Sequence, residues 1–265
     1  MSKTHDTPIS YYGGKKNMLK HILPLIPTHS VYTEPFFGGG TVFFAKEPVE
    51  HEVINDTNNL VINFYKVLQN DFQNLKQKIE ETLFSRSSYS TAMVVCRMPH
   101  LFSELVQAWG FYIACNMGFL HIMGSWGFDK YGKRQKTFLN KKIKFTDSFA
   151  KRIENAAIEC SDACHVIKLY DSPETFHYLD PPYIETDQGH YSGYTENDYR
   201  KLVETLVTIK GKFLLSSYPS KILNEFINKH GWHSKLFTKP LSAHKITDGS
   251  KRPVKTEVLT ANYPI

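Results

Sequence analysis

The stretch from Val31 to Asp56 constrains the fold of this chain more than any other. Val31-Tyr32-Thr33-Glu34 reads as a short strand, and Pro35-Phe36-Phe37-Gly38-Gly39-Gly40 follows as a glycine loop. A helix is expected from near Thr41. Strand, glycine loop and helix form the nucleotide-cradling unit of Rossmann-type sheets, in which backbone N–H groups face the ligand. A second strand over 52–55 ends at Asp56, 18 residues beyond Gly38. An acidic residue about 20 residues past such a loop typically accepts from ribose hydroxyls. Asp56 equally suits the N-cap of a helix expected over 58–69.

The loop is neither G-x-G-x-x-G nor a Walker loop. Glu34 and Phe36 beside it argue against a phosphate ligand, because a carboxylate repels pyrophosphate but accepts from an amino group. That favours a cofactor with an amino-acid end, such as S-adenosyl-L-methionine. Upstream, Tyr11-Tyr12-Gly13-Gly14-Lys15-Lys16 offers a tight backbone path and a lysine, Lys15, able to reach an anionic group. A surface turn with solvated lysines is the plainer reading of that stretch. A helix is expected over 16–23, ending at Pro24.

The second chemical centre is Asp180-Pro181-Pro182-Tyr183, after an aromatic strand over 175–179. Asp180 then stands at the carboxyl end of a strand, where open α/β sheets place their ligands. The prolines have no N–H, so the Pro181 carbonyl is presented in a rigid direction and Pro182 stiffens the turn. An exocyclic amino group on a base is a poor nucleophile, because its lone pair is delocalised into the ring. Two acceptors, Asp180 and the Pro181 carbonyl, would hold its N–H bonds while Tyr183 stacks on the ring. An isolated Asp-Pro-Pro is also an ordinary turn.

Composition sets the outer limits. A chain of 265 residues with 41% hydrophobic and 22% charged residues can bury a full core. No apolar run is long enough for a membrane span, and the polar N-terminus lacks a signal-peptide core. Four scattered cysteines suggest reduced thiols, hence a cytoplasmic setting. Cys160, Cys164 and His165 fall short of a zinc site, and no metal is expected. The net charge of +6 is compatible with a polyanionic partner.

Taken in order, Tyr-Tyr-Gly-Gly-Lys from Tyr11, Glu-Pro-Phe-Phe-Gly-Gly-Gly from Glu34, Asn-Asp-Thr-Asn from Asn55 and Asp-Pro-Pro-Tyr from Asp180 resemble the Dam-like, D12 class adenine-N6 DNA methyltransferases. The order of cofactor loop, insertion and catalytic tetrapeptide resembles the alpha group. The resemblance implies an α/β fold: a Rossmann-like S-adenosylmethionine-dependent sheet built from 1–66 and 146–265. An inserted, mainly helical target-recognition domain over 67–145 would carry a β-hairpin. It further implies a site-specific enzyme that methylates N6 of a flipped-out adenine in double-stranded DNA. A companion restriction endonuclease, acting separately, is compatible with it. Tyr11, Lys15, Glu34, Phe36, Gly38, Gly40, Asp56 and Asp180 would line the cofactor site, with Lys15 near the cofactor carboxylate and Asp56 on the ribose.

Within the insertion, helices are expected over 71–83 and 104–117, the latter strongly apolar. Aromatics and cations then interleave, with a turn at 129–132. Trp126, Lys130, Tyr131, Lys133, Arg134 and Lys136 are candidate DNA contacts, and the hairpin is placed at 121–140 by position. A solvated basic loop is the alternative. Further on, a helix is expected over 148–157, and 159–169 is expected to end in a strand. The run 184–194 reads as a loop near the site, and a helix over 196–207 has Thr195 as cap and Asp198 at N3. A strand covers 212–218, and a closing hairpin pairs 241–246 with 254–262, its turn bringing Lys251 and Arg252 to phosphates. An RNA methyltransferase and a non-catalytic DNA-binding module are the rival readings. Asp180 argues against protein-amide methylation, where Asn is typical, and the intact tetrapeptide and loop argue against loss of catalysis.

Overall fold

The computed structural model describes residues 6–119, 124–183, 193–240 and 254–265. Seven strands form one sheet: β1 (Val31–Glu34), β2 (His51–Asn55), β3 (Ala157–Glu159), β4 (Thr175–Leu179), β5 (Lys212–Ser217), β6 (His233–Pro240) and β7 (Val254–Ala261). Their order is β3-β2-β1-β4-β5-β7-β6. The first five are parallel, and β7 runs antiparallel between β5 and β6. The order reverses between β1 and β4, which are paired with Val31 opposite Thr175. Ligands bind outside the carboxyl ends of strands at such a switch point. Glu34 ends β1 there, and Asp180 follows β4.

The strands read as apolar runs because both sheet faces are covered. All five residues of β4 are buried. Phe176 and Tyr178 point into one core with Tyr32, Leu214 and Leu259, while Leu179 joins Phe213, Leu215 and Val258 in the other. The first core is covered by α1 (Leu19–Ile22), α2 (Asn59–Asn70) and α5 (Glu104–Met117). The second is covered by α8 (Ala163–Leu169), α9 (Glu196–Thr208) and α10 (Lys221–His230). The remaining helices are α3 (Phe72–Glu81), α4 (Arg86–Arg97), α6 (Lys133–Lys144) and α7 (Asp147–Ile153).

Several elements differ from expectation. No α-helix follows the glycine loop. The chain makes only helical turns, with Phe44 N–H donating to Gly40 O (3.0 Å) and Lys46 N–H to Val42 O (2.9 Å), before Pro48. The helix expected over 16–23 shortens to α1, and Pro24 fits inside a 3-10 turn, Leu23–Leu25. Asn58, not Asp56, caps α2, accepting from Leu60 N–H. The helix expected over 148–157 stops at Ile153, so β3 begins at Ala157. The run after it is helical, not a strand, because Asp162 accepts from His165 N–H and starts α8. The closing hairpin uses β6 as its first strand; residues 241–246 lie outside the described residues. Helices α4 and α10 were not anticipated, although Ser85 and Ser220 cap them. The capping box of Thr195 and Asp198 is present.

The hairpin expected at 121–140 is also corrected, within the described residues. Gly118 and Trp126 form a single antiparallel bridge, and from Lys133 the chain is the helix α6. Asp129 explains the change. Its carboxylate accepts from Tyr131 and Arg134 N–H, and Gly132 turns at φ 69°, so the expected 129–132 turn launches a helix. Lys141, Lys142 and Lys144 then sit at the negative end of the helix dipole.

One buried polar group ties the parallel strands together. His177 is fully buried, with Nδ1 2.7 Å from Thr33 Oγ1 and Nε2 3.6 Å from Asp171 Oδ1. Burial pushes its imidazole down to about 4, although Asp171 pulls the other way. Between that value and the ordinary 6.5 the unfolded chain binds a proton that the folded chain refuses. Stability attributable to His177 therefore falls as pH drops from about 6.5 to 4, by on the order of 3 kcal/mol. Urea unfolding at several pH values, wild type against His177→Gln, should show that extra acid sensitivity only in the wild type.

Candidate active site

The cavity at the switch point has a volume of about 740 Å³. Its floor is built first by the glycine loop. Gly38 and Gly40 hold φ of 47° and 61°, a region that disfavours side chains. A Cβ on Gly38 would come within 2.9 Å of the Tyr11 ring, and one on Gly40 within 2.6 Å of Phe37 Cζ. The glycines thus let the Tyr11 segment lie directly on the loop. Asp56 Oδ2 accepts from Gly38 N–H and Oδ1 from Asn58 N–H, both at 2.9 Å. A carboxylate has about four acceptor sites, so Asp56 retains capacity for hydroxyl donors.

Glu34 lies beside the loop, 3% exposed. Its Oε2 accepts from Tyr32 OH (2.7 Å) and Phe43 N–H (3.1 Å). Burial pushes its carboxyl up to about 8; the Tyr32 bond opposes this and the nearby Asp180 charge adds to it. At neutral pH Glu34 is therefore mostly protonated, which weakens the expectation that it acts there as a fixed negative charge. A cationic ligand in the cavity would draw it back towards the anion.

Asp180 is the centre of the opposite wall. Lys15 Nζ stands 2.6 Å from Asp180 Oδ1 and is itself 6% exposed. Burial raises the Asp180 carboxyl and Lys15 lowers it. Lys15 also donates to Gly13 O (3.3 Å) and lies 4.8 Å from the centre of the Tyr183 ring. Tyr183 OH is 3.4 Å from Asp180 Oδ1 and 3.5 Å from Ser216 Oγ, and its ring packs on Tyr218 with centroids 4.0 Å apart.

Tyr11, Lys15, Glu34, Phe36, Gly38, Gly40 and Asp56 line this cavity together with Asp180, Pro181, Pro182 and Tyr183. The chain brings these residues together from four separate segments. Tyr194, from the loop expected near the site, also lines it, as do Asp162, Lys201 and Glu257, which the sequence does not single out for the site. Phe36 meets Tyr194 edge-on at 6.2 Å, and Lys201 pairs with Asp162 at 3.2 Å. The Asp162 cap was a readable signal; Glu257 and Lys201 carry none in their local sequence.

The candidate DNA contacts divide. Lys130, Tyr131, Lys133 and Lys136 are exposed, and Phe128 beside them is 70% exposed. Trp126 is not presented to solvent in this way: it packs on Phe84 and Tyr89 at 5.1 and 5.5 Å. Arg134 is a brace, donating to Gly118 O at 3.1 Å and lying over the Phe119 ring. Gly127 leaves it room, since a Cβ there would meet both Arg134 Nη1 and Met117 O. Lys251 and Arg252 lie outside the described residues. Among the described residues no cluster of His, Cys, Asp and Glu could hold a metal ion, and no helix is long and apolar enough to cross a membrane.

A sheet in this strand order, with a glycine loop after its first strand and an acidic residue after its fourth, is a Rossmann-like methyltransferase sheet. Residues 11–251 match the D12 class N6 adenine-specific DNA methyltransferases, and the chain belongs to that family. It is similar to the Type II methyltransferase M1.LlaDCHI of Lactococcus lactis subsp. cremoris, with 25% identity over 95% of this chain and 93% of that protein. The Type II methyltransferase M.MjaIII of Methanocaldococcus jannaschii is 26% identical over 72% of this chain and 74% of its own length. A shorter match, 40% identical over 63 residues, links 24% of this chain to 8% of the DNA N-6-adenine-methyltransferase of Escherichia phage P1.

Gly40→Ala should both strain the backbone and overlap Phe37. Thermal or urea unfolding is expected to show a loss of about 1–3 kcal/mol. Unchanged stability would mean that the loop is looser than its geometry.

Proposed function

We propose that this cavity binds S-adenosyl-L-methionine and a flipped-out adenine side by side, and that Asp180-Pro181-Pro182-Tyr183 directs methyl transfer to N6. The observation that carries the reading is the joining of the glycine loop, Asp56 and the tetrapeptide in one cavity at the switch point. The residues present fit the cofactor. The glycine loop lines the cavity with backbone, Asp56 has acceptor capacity for ribose hydroxyls, and Lys15 is a cation for a carboxylate. Tyr11, Phe36, Gly38 and Gly40 would enclose it, and Glu34 and Asp180 would face its ammonium. When bound, S-adenosyl-L-methionine supplies an electrophilic methyl group.

The remaining work belongs to the chain. Asp180 and the Pro181 carbonyl accept the two N6–H bonds and turn the nitrogen lone pair out of the ring. Pro182 fixes the direction of that carbonyl. Tyr183, braced by Tyr218, stacks on the base. Extruding adenine costs on the order of a few kcal/mol, which contacts to the strand must offset. The insertion over 67–145 is the proposed recognition domain. Lys130, Lys133 and Lys136, with the exposed rings of Phe128 and Tyr131, would meet the duplex there. The Type II designation of two relatives supports a separate restriction endonuclease that shares the target site. A DNA substrate and free cysteines support a cytoplasmic setting.

Incubation with S-adenosyl-L-methionine and mixed-sequence duplex DNA, followed by digestion and mass spectrometry, should yield N6-methyladenine. Asp180→Ala should lower the rate by about 10²–10³-fold or more. Methylation of RNA alone, or no effect of Asp180→Ala, would overturn the reading. Lys133→Gln and Lys136→Gln should each reduce the slope of log affinity against log salt by about 0.9 on duplex DNA. Unchanged slopes would remove α6 from the interface.

A further inference from the structure

Glu257 is the feature of the cavity that the reading above leaves unused. It is half-buried on β7 and lines the cavity. Its Oε2 is buried with no hydrogen-bond partner among the described residues. Buried carboxylate oxygens are normally satisfied, so an unmet one on a residue that lines the cavity calls for an explanation. Strand register gives its position. β7 pairs antiparallel with β5, with Ser216 opposite Leu259 and Ser217 opposite Val258. The pairing with β5 ends there, and Glu257, the next residue of β7 and paired with Phe237 of β6, points to the face that Leu259 and Ser216 share, towards the Tyr218 end of β5. Ser216 and Tyr218 are the residues against which Tyr183 rests: Ser216 Oγ at 3.5 Å from its hydroxyl and Tyr218 at 4.0 Å from its ring. Glu257 therefore belongs to the wall behind Tyr183 and Asp180.

Methyl transfer to N6 has an unavoidable proton step. The methyl group arrives without its bonding electron pair, so N6 uses its own pair for the new N–C bond and becomes cationic. One N–H bond must then break, its pair returning to nitrogen and its proton passing to a base. Asp180 is the carboxylate proposed to touch that N–H. However, Lys15 at 2.6 Å holds Asp180 as an anion and lowers its appetite for a proton. The groups that face Asp180 are Lys15 from the N-terminal segment, Glu34 from β1, Tyr178 from β4, Tyr183 from its own turn and Glu257 from β7. Burial is the largest influence raising the Asp180 carboxyl, and the Glu257 charge adds to it. A like charge in a shared cavity disfavours the ionised form of its neighbour.

Resting on the proposed function, we propose that Glu257 is a positioning residue of the methyl transfer, a second carboxylate whose charge offsets Lys15 and keeps Asp180 able to receive the proton that adenine N6 sheds. The proton then leaves Asp180 for water. Nothing else is consumed.

The test is a single-turnover pH profile of adenine methylation for the wild type, Glu257→Gln, Glu257→Ala and Glu257→Asp. Each is also measured in the Glu34→Gln background, which removes the β1 carboxylate whose titration would overlap the profile. Asp180 must be ionised to accept from N6. Removing the Glu257 charge lets it ionise at lower pH, so the acid limb should move down by about half a pH unit or more. The plateau should fall by about twofold to threefold, because the base is weaker. Glu257→Asp should restore both. The pH dependence of S-adenosyl-L-homocysteine binding, followed by calorimetry, should shift in the same direction without any turnover. An acid limb and a binding profile unmoved in both Glu257→Gln and Glu257→Ala overturn the proposal. If the wild type forms no N6-methyladenine, the functional reading fails instead, and the binding titration still reports whether Glu257 acts on Asp180.

Discussion

The ion pair between Lys15 and Asp180 is the contact on which the site depends. It joins the N-terminal segment to the end of β4 across the switch point. Both partners are drawn largely out of water, so each needs the other, and removing one would leave an uncompensated buried charge. The pair also sets the placement of its neighbours. Lys15 lies over the Tyr183 ring, and Tyr11, four residues before it, covers the glycine loop. The pairing of β1 with β4 sets the glycine loop beside the Asp-Pro-Pro-Tyr turn, and the ion pair fastens the N-terminal segment across both.

Around that pair, carboxylates outnumber the cations. Glu34, Asp56, Asp162, Asp180, Asp198 and Glu257 line the cavity with Lys15 and Lys201. Burial keeps Glu34 mostly protonated at neutral pH. The cavity is therefore suited to a ligand that brings positive charge and amino hydrogens, and poorly suited to a pyrophosphate. Elsewhere the charges are structural. Lys46 and Arg152 converge on the buried Glu52, and Arg152 Nη2 also donates to Phe43 O, which anchors the turns after the glycine loop to β2 and α7. His177, neutral and buried, bridges β1 and β4 without entering the cavity lining.

Much of this was legible in the sequence. The parallel strands β1, β2, β4 and β5 announce themselves as apolar runs, and the glycine loop, Asp56 and Asp-Pro-Pro-Tyr each have local chemistry that reads without a structure. The apolar helix α5 was also plain, since Phe111, Tyr112 and their neighbours left it no exposed face. The misses have physical causes. β3 is three residues long, too short for periodicity to register, and the apolar run after it suits a strand or a helix equally until the Asp162 cap is noticed. The hairpin at 121–140 rests on position within the family pattern, whereas the local signal is Asp129, whose two side-chain bonds start a helix. Trp126 and Arg134 stand out in the sequence by residue type, and their packing on Phe84, Tyr89 and Phe119 follows from tertiary structure that no local pattern encodes. Glu257 reaches the cavity through strand order alone, which no local spacing encodes.

The most direct test of the account is a calorimetric titration of the 265-residue chain with S-adenosyl-L-methionine in the absence of DNA. One cofactor should bind per chain, and Asp56→Asn and Asp180→Asn should each weaken binding while the fold, followed by circular dichroism, persists. Binding unaffected by both substitutions would place the cofactor elsewhere and contradict the account of this cavity.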